Sequence, residues 1–372
     1  MKSVRSTSSR LIAAGVALAM FGGSGAFAAG EDTAPPGRTI AYAFTDIIWS
    51  IYESKDAKEE CPEGVQALGP REQFKQQFPD DGTKRKFVDT QLAREAEIWW
   101  PNTNPDRFAY REAGGKHAIG LNLDGKVGAN DFTSPDGTPG VDNGLFRVIG
   151  CIMNYRTGGS VLNFDQTFFK KYPFDRIMIE LTDVDSLVND DDVTITTYRG
   201  LDPLLNDATG NYFAPGGTQR LDLRFGKDFI HSAKGKIVNG VLITQPMDIN
   251  MPRESAIQEM SYEWMRDARF QVKLLPDRAE GIIGGYADIE TWYNARNRQW
   301  GTHHQAYGQQ SMQSIYKVLR KWADGFPNAK GENTAISSAY SVKLIQVRVL
   351  RPDKKVADGG VPTQLSDSSA AK

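Results

Sequence analysis

The feature that most limits the fold of this chain is a series of short runs in which apolar and polar residues alternate. Such runs cover residues 177–181, 193–197, 221–225, 270–274 and 342–350. Alternation places successive side chains on opposite faces of a strand, so that one face of each run can be buried. Asn239-Gly240 lies between two apolar runs and predicts a tight hairpin, because a type I′ turn needs two positive φ angles.

Short strands joined by turn-rich loops are typical of antiparallel sandwiches and barrels. We expect a mainly β protein with α additions: a jelly-roll-like antiparallel β-sandwich over residues 161–352, with peripheral helices. A helical insertion is predicted near residues 286–325, where apolar residues recur at the spacing of one helix face. These residues are Met312, Ile315, Tyr316, Leu319 and Trp322.

The chain before residue 161 is expected to be less regular. Residues 29–110 are predicted to be partly helical, because apolar residues recur there at helical spacing in two places. The first set is Phe44, Ile47, Ile48, Ile51 and Tyr52, and the second is Val88, Leu92, Ala96 and Trp99. Residues 111–160 are rich in Gly, Asp, Asn and Pro, which indicates a long ordered loop. The polar tail at residues 353–372 is expected to be disordered.

Residues 1–28 have the three parts of a secretory signal peptide. They begin with positive charge and no acid, continue through an apolar stretch at residues 11–21, and place Ala26 and Ala28 at a cleavage site. The apolar stretch is shorter than the roughly 20 residues that cross a bilayer. We therefore expect cleavage, no membrane span, and a periplasmic or secreted location.

Cys61 and Cys151 are the only cysteines of the chain. In an exported protein an even pair is most simply a disulfide, and two unrelated thiols are the alternative. The net charge of the whole chain is −2. This argues against nucleic acid as a partner, because phosphate binding needs a clustered basic surface. The sequence also lacks zinc, serine-hydrolase, Walker A and Rossmann motifs.

A calcium site is predicted within residues 120–143, where oxygen-bearing side chains alternate with glycines. The candidate ligands are Asn122, Asp124, Asp131, Asp136 and Asp142. If Gly120 is the first position, the first three candidates fall at the third, fifth and twelfth, and Gly125 falls at the sixth, where the chain turns sharply. The stretch resembles the loops of EF-hand and dockerin-type modules, although Gly120 replaces their first acidic ligand. The resemblance implies a calcium ion that stiffens the loop, and the alternative is ordinary turn chemistry.

A ligand-binding surface is predicted within residues 292–300, where aromatic residues and arginines are interleaved. The candidate ligand-binding residues are Trp292, Tyr293, Arg296, Arg298 and Trp300. Flat aromatic faces can stack on sugars, and the glycines at positions 281, 284 and 285 permit close approach of the backbone. Core packing of the individual aromatic residues is the alternative interpretation.

Together these features favour an exported, soluble binding or accessory protein that is stabilised by calcium. Its ligand is a carbohydrate, another unknown molecule or a protein partner. A secreted hydrolase acting on a polysaccharide or another polymer is one alternative, and a structural subunit of a periplasmic or surface assembly is another. Whether the chain is an enzyme is open, because a catalytic carboxylate pair is defined by its separation in space rather than by sequence.

Overall fold

The structure is a computed structural model that describes residues 38–66, 110–172, 175–253, 261–298 and 312–351. The strands are β1 (Arg38–Trp49), β2 (Phe132–Thr133), β3 (Pro139–Val141), β4 (Ile177–Val184), β5 (Asp190–Arg199), β6 (Gly217–Arg220), β7 (His231–Val238), β8 (Val241–Thr244), β9 (Met247–Pro252), β10 (Tyr262–Leu274), β11 (Arg278–Asp288), β12 (Gly325–Pro327) and β13 (Asn333–Leu350). The helices are α1 (Gly144–Ile149), α2 (Ser160–Lys171), α3 (Ile289–Arg298) and α4 (Met312–Lys321). The predicted signal peptide, the predicted helix at residues 88–99 and the tail at residues 353–372 lie outside the described residues.

Eight of the strands form a closed antiparallel β-barrel in the order β1-β4-β5-β7-β8-β10-β11-β13, and β1 closes it by pairing with β13. The prediction of a jelly-roll-like β-sandwich was therefore wrong. Sandwiches and barrels both use strands with one buried face, so the alternation of apolar residues does not distinguish them. The pairing of the first strand with the last, in which Ala41 lies opposite Val347, decides the architecture.

The first barrel strand was predicted as a helix, and a β-bulge explains the error. The register between β1 and β13 shifts between Phe44 and Asp46. Tyr42 and Phe44 face the core two residues apart, but the next core residue is Ile47, three residues further on. A step of three imitates the period of a helix, so the bulged strand has the apolar spacing of a helix.

Most of the other predicted elements are confirmed. The runs at residues 177–181, 193–197, 270–274 and 342–350 lie in β4, β5, β10 and β13. Asn239 and Gly240 join β7 to β8 with φ angles of 51° and 80°, as a type I′ turn requires. Helix α4 matches the predicted helix. The run at residues 221–225 does not form a strand; it follows β6 and leads into turns.

The interior of the barrel is filled by side chains. Tyr42, Phe44, Ile179, Phe270 and Val272 are all buried in one continuous apolar cluster. A barrel of eight strands is just wide enough either to be filled in this way or to hold one small ligand. Because this barrel is filled, its described interior is a core rather than a ligand cavity.

The helices pack near one end of β1. Helix α2 packs against β1, α3 against β10, and α1 and α4 against β13. Trp49, the last residue of β1, meets Tyr155 edge to face with ring centroids 5.0 Å apart. Arg38 begins the strand roughly 36 Å away, at about 3.3 Å per residue. In the part of the chain that the structure describes, no helix has the length and apolar character needed to cross a membrane.

Candidate functional site

A cleft opens where β1 and β13 separate. Their ladder ends with Ala41 opposite Val347. Beyond this pair β1 remains bonded to β4, with Ile40 opposite Leu181, whereas residues 347–350 of β13 pair with β6. Strand β1 therefore continues beside β4, strand β13 continues beside β6, and a gap remains between β1 and β13.

A cavity of about 630 Å³ occupies this gap. Strand β1 contributes residues 38–41 to its lining and β13 contributes residues 346–349. Glu180, Leu187, Pro276 and Arg351 complete the wall. The volume falls within the range of about 300 to 1,000 Å³ that is typical of small-molecule sites.

The cleft carries an excess of positive charge. Among the described residues that line it, the one carboxylate is Glu180, which is 2 % exposed and accepts hydrogen bonds from the Arg351 guanidinium and from the Tyr198 hydroxyl. This contact neutralises Arg351. No ion pair joins Arg38 or Arg348 to another of the described residues. The buried Nε of Arg38 also lacks a hydrogen-bond partner in that part of the chain.

The chemistry of this lining favours an anion. A guanidinium group binds a carboxylate or a phosphate through two parallel N–H···O hydrogen bonds. Ile40, Leu187 and Val349 add apolar surface beside the arginines. The cleft is therefore suited to a ligand that joins anionic groups to an apolar part.

No local pattern in the sequence predicts this site. Arg38 is the first residue of β1, Arg348 lies near the end of β13, and Arg351 directly follows β13. Only the closure of the barrel brings strands β1 and β13 together. The arginines at the outer ends of these two strands can be read in the sequence. They indicate a shared binding site only when the two strands are known to pair.

The predicted ligand-binding segment forms helix α3, and two of its residues are buried. Trp292 is 0 % exposed and belongs to the apolar core. Arg296 is 3 % exposed, donates a hydrogen bond to Asp165 on α2, and places its guanidinium 5.1 Å from the centroid of the Trp49 ring. These side chains join the helix to the end of the barrel instead of facing solvent.

The other candidate residues of this segment are either half-buried or outside the described part of the chain. Tyr293 is half-buried against Tyr316 on α4, with ring centroids 4.9 Å apart. Trp300 and the side chain of Arg298 lie outside the described residues. Sugar binding at this segment stays a prediction, and Trp292 cannot serve as a stacking surface where it lies.

The glycines before this segment serve packing within the sheet. A Cβ atom at Gly281 would lie 2.2 Å from the carbonyl oxygen of Gln271 on the neighbouring strand. A Cβ at Gly285 would meet the Met265 side chain at 2.7 Å. These two glycines let β11 approach β10 closely, and a side chain at either position would collide with β10.

A buried polar cluster lies in the barrel near the helices. Glu263 on β10 is 0 % exposed, accepts a hydrogen bond from the Tyr340 hydroxyl, and accepts another from Nε of Arg253 at 3.2 Å. Burial raises the pKa of Tyr340 well above its usual range, and the neighbouring Glu263 carboxylate raises it further. Because the carboxylate is enclosed and fully engaged, we assign the cluster a structural role.

The five candidate calcium ligands lie in or beside one exposed loop. Asn122, Asp124, Asp131 and Asp136 each accept a hydrogen bond from a backbone N–H within four residues. Asp142 accepts from the N–H of Leu123 at 2.6 Å. Burial raises the pKa of Asp142, and the charges of Asp131 and Asp124 add to this rise against the backbone hydrogen bonds.

The loop is therefore already held by short-range side-chain to backbone hydrogen bonds, as in Asx turns. Among the described residues no group of three or more His, Cys, Asp or Glu side chains is placed to hold a metal ion. The calcium site stays a prediction. The charges of Asp124, Asp131 and Asp142 are close enough to act on one another, which is the feature a cation would exploit.

The predicted disulfide between Cys61 and Cys151 is present, with an S–S distance of 2.07 Å. Beside it, the fully buried carboxylate of Glu60 binds Arg156 at 2.6 Å. The disulfide and this ion pair together fix the turns after β1 to the end of α1.

Comparison of the chain with known protein families, with curated proteins and with solved structures found no match. The geometry of the cleft is thus the feature that points to a function.

Proposed function

We propose that this protein is an exported binding protein and that the cleft between β1 and β13 holds a ligand with anionic groups and an apolar part. One observation carries the proposal: Arg38 and Arg348 line a cavity of about 630 Å³ without an ion pair among the described residues. A charge-assisted hydrogen bond contributes about 1.5 to 3 kcal/mol. A ligand that engages both arginines and buries its apolar part gains from both contributions, which offset the cost of association.

Binding is better supported than hydrolysis. A glycosidase needs two carboxyl groups about 5 to 10 Å apart that flank the scissile bond. The lining of the cleft includes one carboxylate, Glu180, and that group is occupied by Arg351. Glu263 is enclosed beneath the helices and is not accessible to a polymer.

The disulfide supports an exported location, because disulfides persist in oxidising compartments and are rare in the cytosol. The signal-peptide pattern of residues 1–28 gives the same expectation. Calcium in the loop of Asn122 and Asp142 would add rigidity far from the arginines and is a separate proposal. Carbohydrate binding would need an aromatic surface other than Trp292.

The test is calorimetric titration with linear dicarboxylates of increasing length, from succinate to suberate. The variant that combines Arg38→Gln with Arg348→Gln removes both arginine charges and keeps much of the volume. We expect the wild type to bind the longer dicarboxylates and the double variant to bind them at least about tenfold more weakly.

Two controls make the test specific. Arg320→Gln removes a charge from helix α4, where Arg320 lies 4.0 Å from Glu332, and should leave the affinity unchanged. A linear diamine of matched length should not bind. Equal affinity of the double variant, or equal binding of the diamine, would overturn the proposal.

A further inference from the structure

We infer that the ligand of the cleft is an extended peptide segment with acidic side chains on one face, which enters between β1 and β13 as an additional strand. This inference rests on the proposed function and names the class of ligand. It depends on the direction of main-chain groups at the two walls of the cleft.

On the β13 wall, the main-chain groups of Val349 face the cleft. The N–H of Gln346 donates to the carbonyl of Asp277, and its own carbonyl accepts from Gly216, so the polar groups of Gln346 point away from β1. Along a strand these groups alternate between the two sides. Those of Val347 therefore point toward β1, where Ala41 lies opposite, and those of Val349 point the same way into the gap.

On the β1 wall, the same reasoning applies to Thr39. Ala41 lies opposite Val347, whose polar groups point toward β1, so the two form a hydrogen-bonded pair and the polar groups of Ala41 face β13. Two residues earlier, the N–H and C=O of Thr39 also face that side. The bulge near this point adds its extra residue to β4, since Arg38 and Ile40 lie opposite Val184 and Leu181. Strand β1 is therefore regular, and the alternation holds.

Thr39 and Val349 would be the next opposed pair if the ladder continued past Ala41 and Val347. Instead, both residues line the cavity. Each wall thus presents the main-chain donors and acceptors of an open sheet edge. An extended segment in the gap would pair with both walls, antiparallel to one and parallel to the other, which is the β-augmentation mode of peptide recognition.

The side chains of the walls determine which peptide fits. Arg38 shares a strand face with Tyr42, and Arg348 shares one with Leu344, and both Tyr42 and Leu344 lie in the barrel core. The two arginines are therefore on the same side of the gap. Val347 belongs to the apolar cluster on the outer side of the barrel. A strand with acidic residues on its inner face and apolar residues on its outer face matches both.

A small dicarboxylate can satisfy the arginines but not the main-chain groups, so the two ligand classes can be separated. The probe is the acetylated and amidated peptide Val-Glu-Val-Glu-Val. Its control has the same sequence with N-methyl groups on alternate residues, which keeps the charge and removes the strand's hydrogen-bond donors on one edge. A second control replaces both Glu residues of the peptide with Lys.

We expect the unmodified peptide to bind at least about tenfold more tightly than the methylated one and the lysine peptide not to bind. Amide hydrogen exchange locates the contact. Binding should slow exchange at Thr39 and Val349, whereas Ala41 and Val347, which are paired already, should not change.

The outcomes distinguish this inference from the proposed function. If both acidic peptides and the dicarboxylates bind with equal affinity and exchange at Val349 is unaffected, the anion site stands and strand addition is overturned. If no acidic peptide or dicarboxylate binds, both proposals fail. If the peptide binds but protects residues other than Thr39 and Val349, strand addition in the cleft is overturned as well.

Discussion

Ala41 and Val347 are the last opposed residues of the ladder that closes the barrel, and the cleft begins directly beyond them. The pairing of β1 with β13 thus closes the barrel, and the ligand site lies where this pairing ends. The ladder holds the first and last strands together over most of their common length. Their separation at its end places Arg38 and Arg348 on opposite walls of a single cavity.

The buried cluster around Glu263 is expected to be costly to disrupt. Glu263→Ala leaves Arg253 charged and enclosed without its carboxylate, so it should lower the free energy of unfolding by about 3 to 5 kcal/mol. Tyr340→Phe removes one hydrogen bond to the same carboxylate and should cost about 1 to 3 kcal/mol. Urea denaturation measures both variants. If both substitutions lowered the free energy of unfolding by the same small amount, the cluster would contribute little to stability.

The buried tyrosines predict a loss of stability at alkaline pH. Burial raises the pKa of Tyr42 from 10.0 to about 12, and burial also raises the pKa of Tyr155 and of Tyr340. The folded protein therefore keeps protons that the unfolded chain releases, and stability falls as the pH rises above 10. For Tyr42 alone the loss reaches about 2 kcal/mol at pH 12.

Spectrophotometric titration and alkaline denaturation measure this effect. The phenolate absorbance of the buried tyrosines should rise together with unfolding. Tyr42→Phe should flatten the dependence of stability on pH above 10. The same pH dependence in that variant would contradict the assignment to Tyr42.

The calcium proposal predicts a melting midpoint that falls when EDTA is added and recovers with Ca²⁺ but not with Mg²⁺. A ligand present at a hundredfold excess over its Kd stabilises the folded state by about 2.7 kcal/mol. Asp142→Asn should reduce the response, because it removes the charge of a half-buried candidate ligand. A midpoint that is insensitive to EDTA would leave the loop held by its Asx turns alone.

The sequence predicted individual strands better than their arrangement. Local alternation and the Asn239-Gly240 turn determine β4, β5 and the β7–β8 hairpin, since each depends on neighbouring residues only. Closure of the barrel depends on Ala41 pairing with Val347, which no local pattern shows. The bulge after Phe44 also gave β1 the apolar spacing of a helix.

The same distinction applies to the sites. The disulfide could be predicted because the chain has one pair of cysteines. The segment of Trp292 and Arg296 was chosen for its composition, but composition does not tell whether a helix turns its aromatic residues toward solvent or toward the core. The cleft combines residues of β1 and β13, which are far apart in sequence, so it became visible only after the fold was known.

The most direct test of the central claim is to measure the affinity of one long dicarboxylate for three proteins side by side. Glu180→Gln removes the one carboxylate among the described lining residues and should strengthen binding by roughly fivefold, because Arg351 is then no longer neutralised. The combined Arg38→Gln and Arg348→Gln variant should weaken it. We expect the two variants to shift the affinity in opposite directions from that of the wild type. A shift in the same direction for both, or no shift in either, would contradict it.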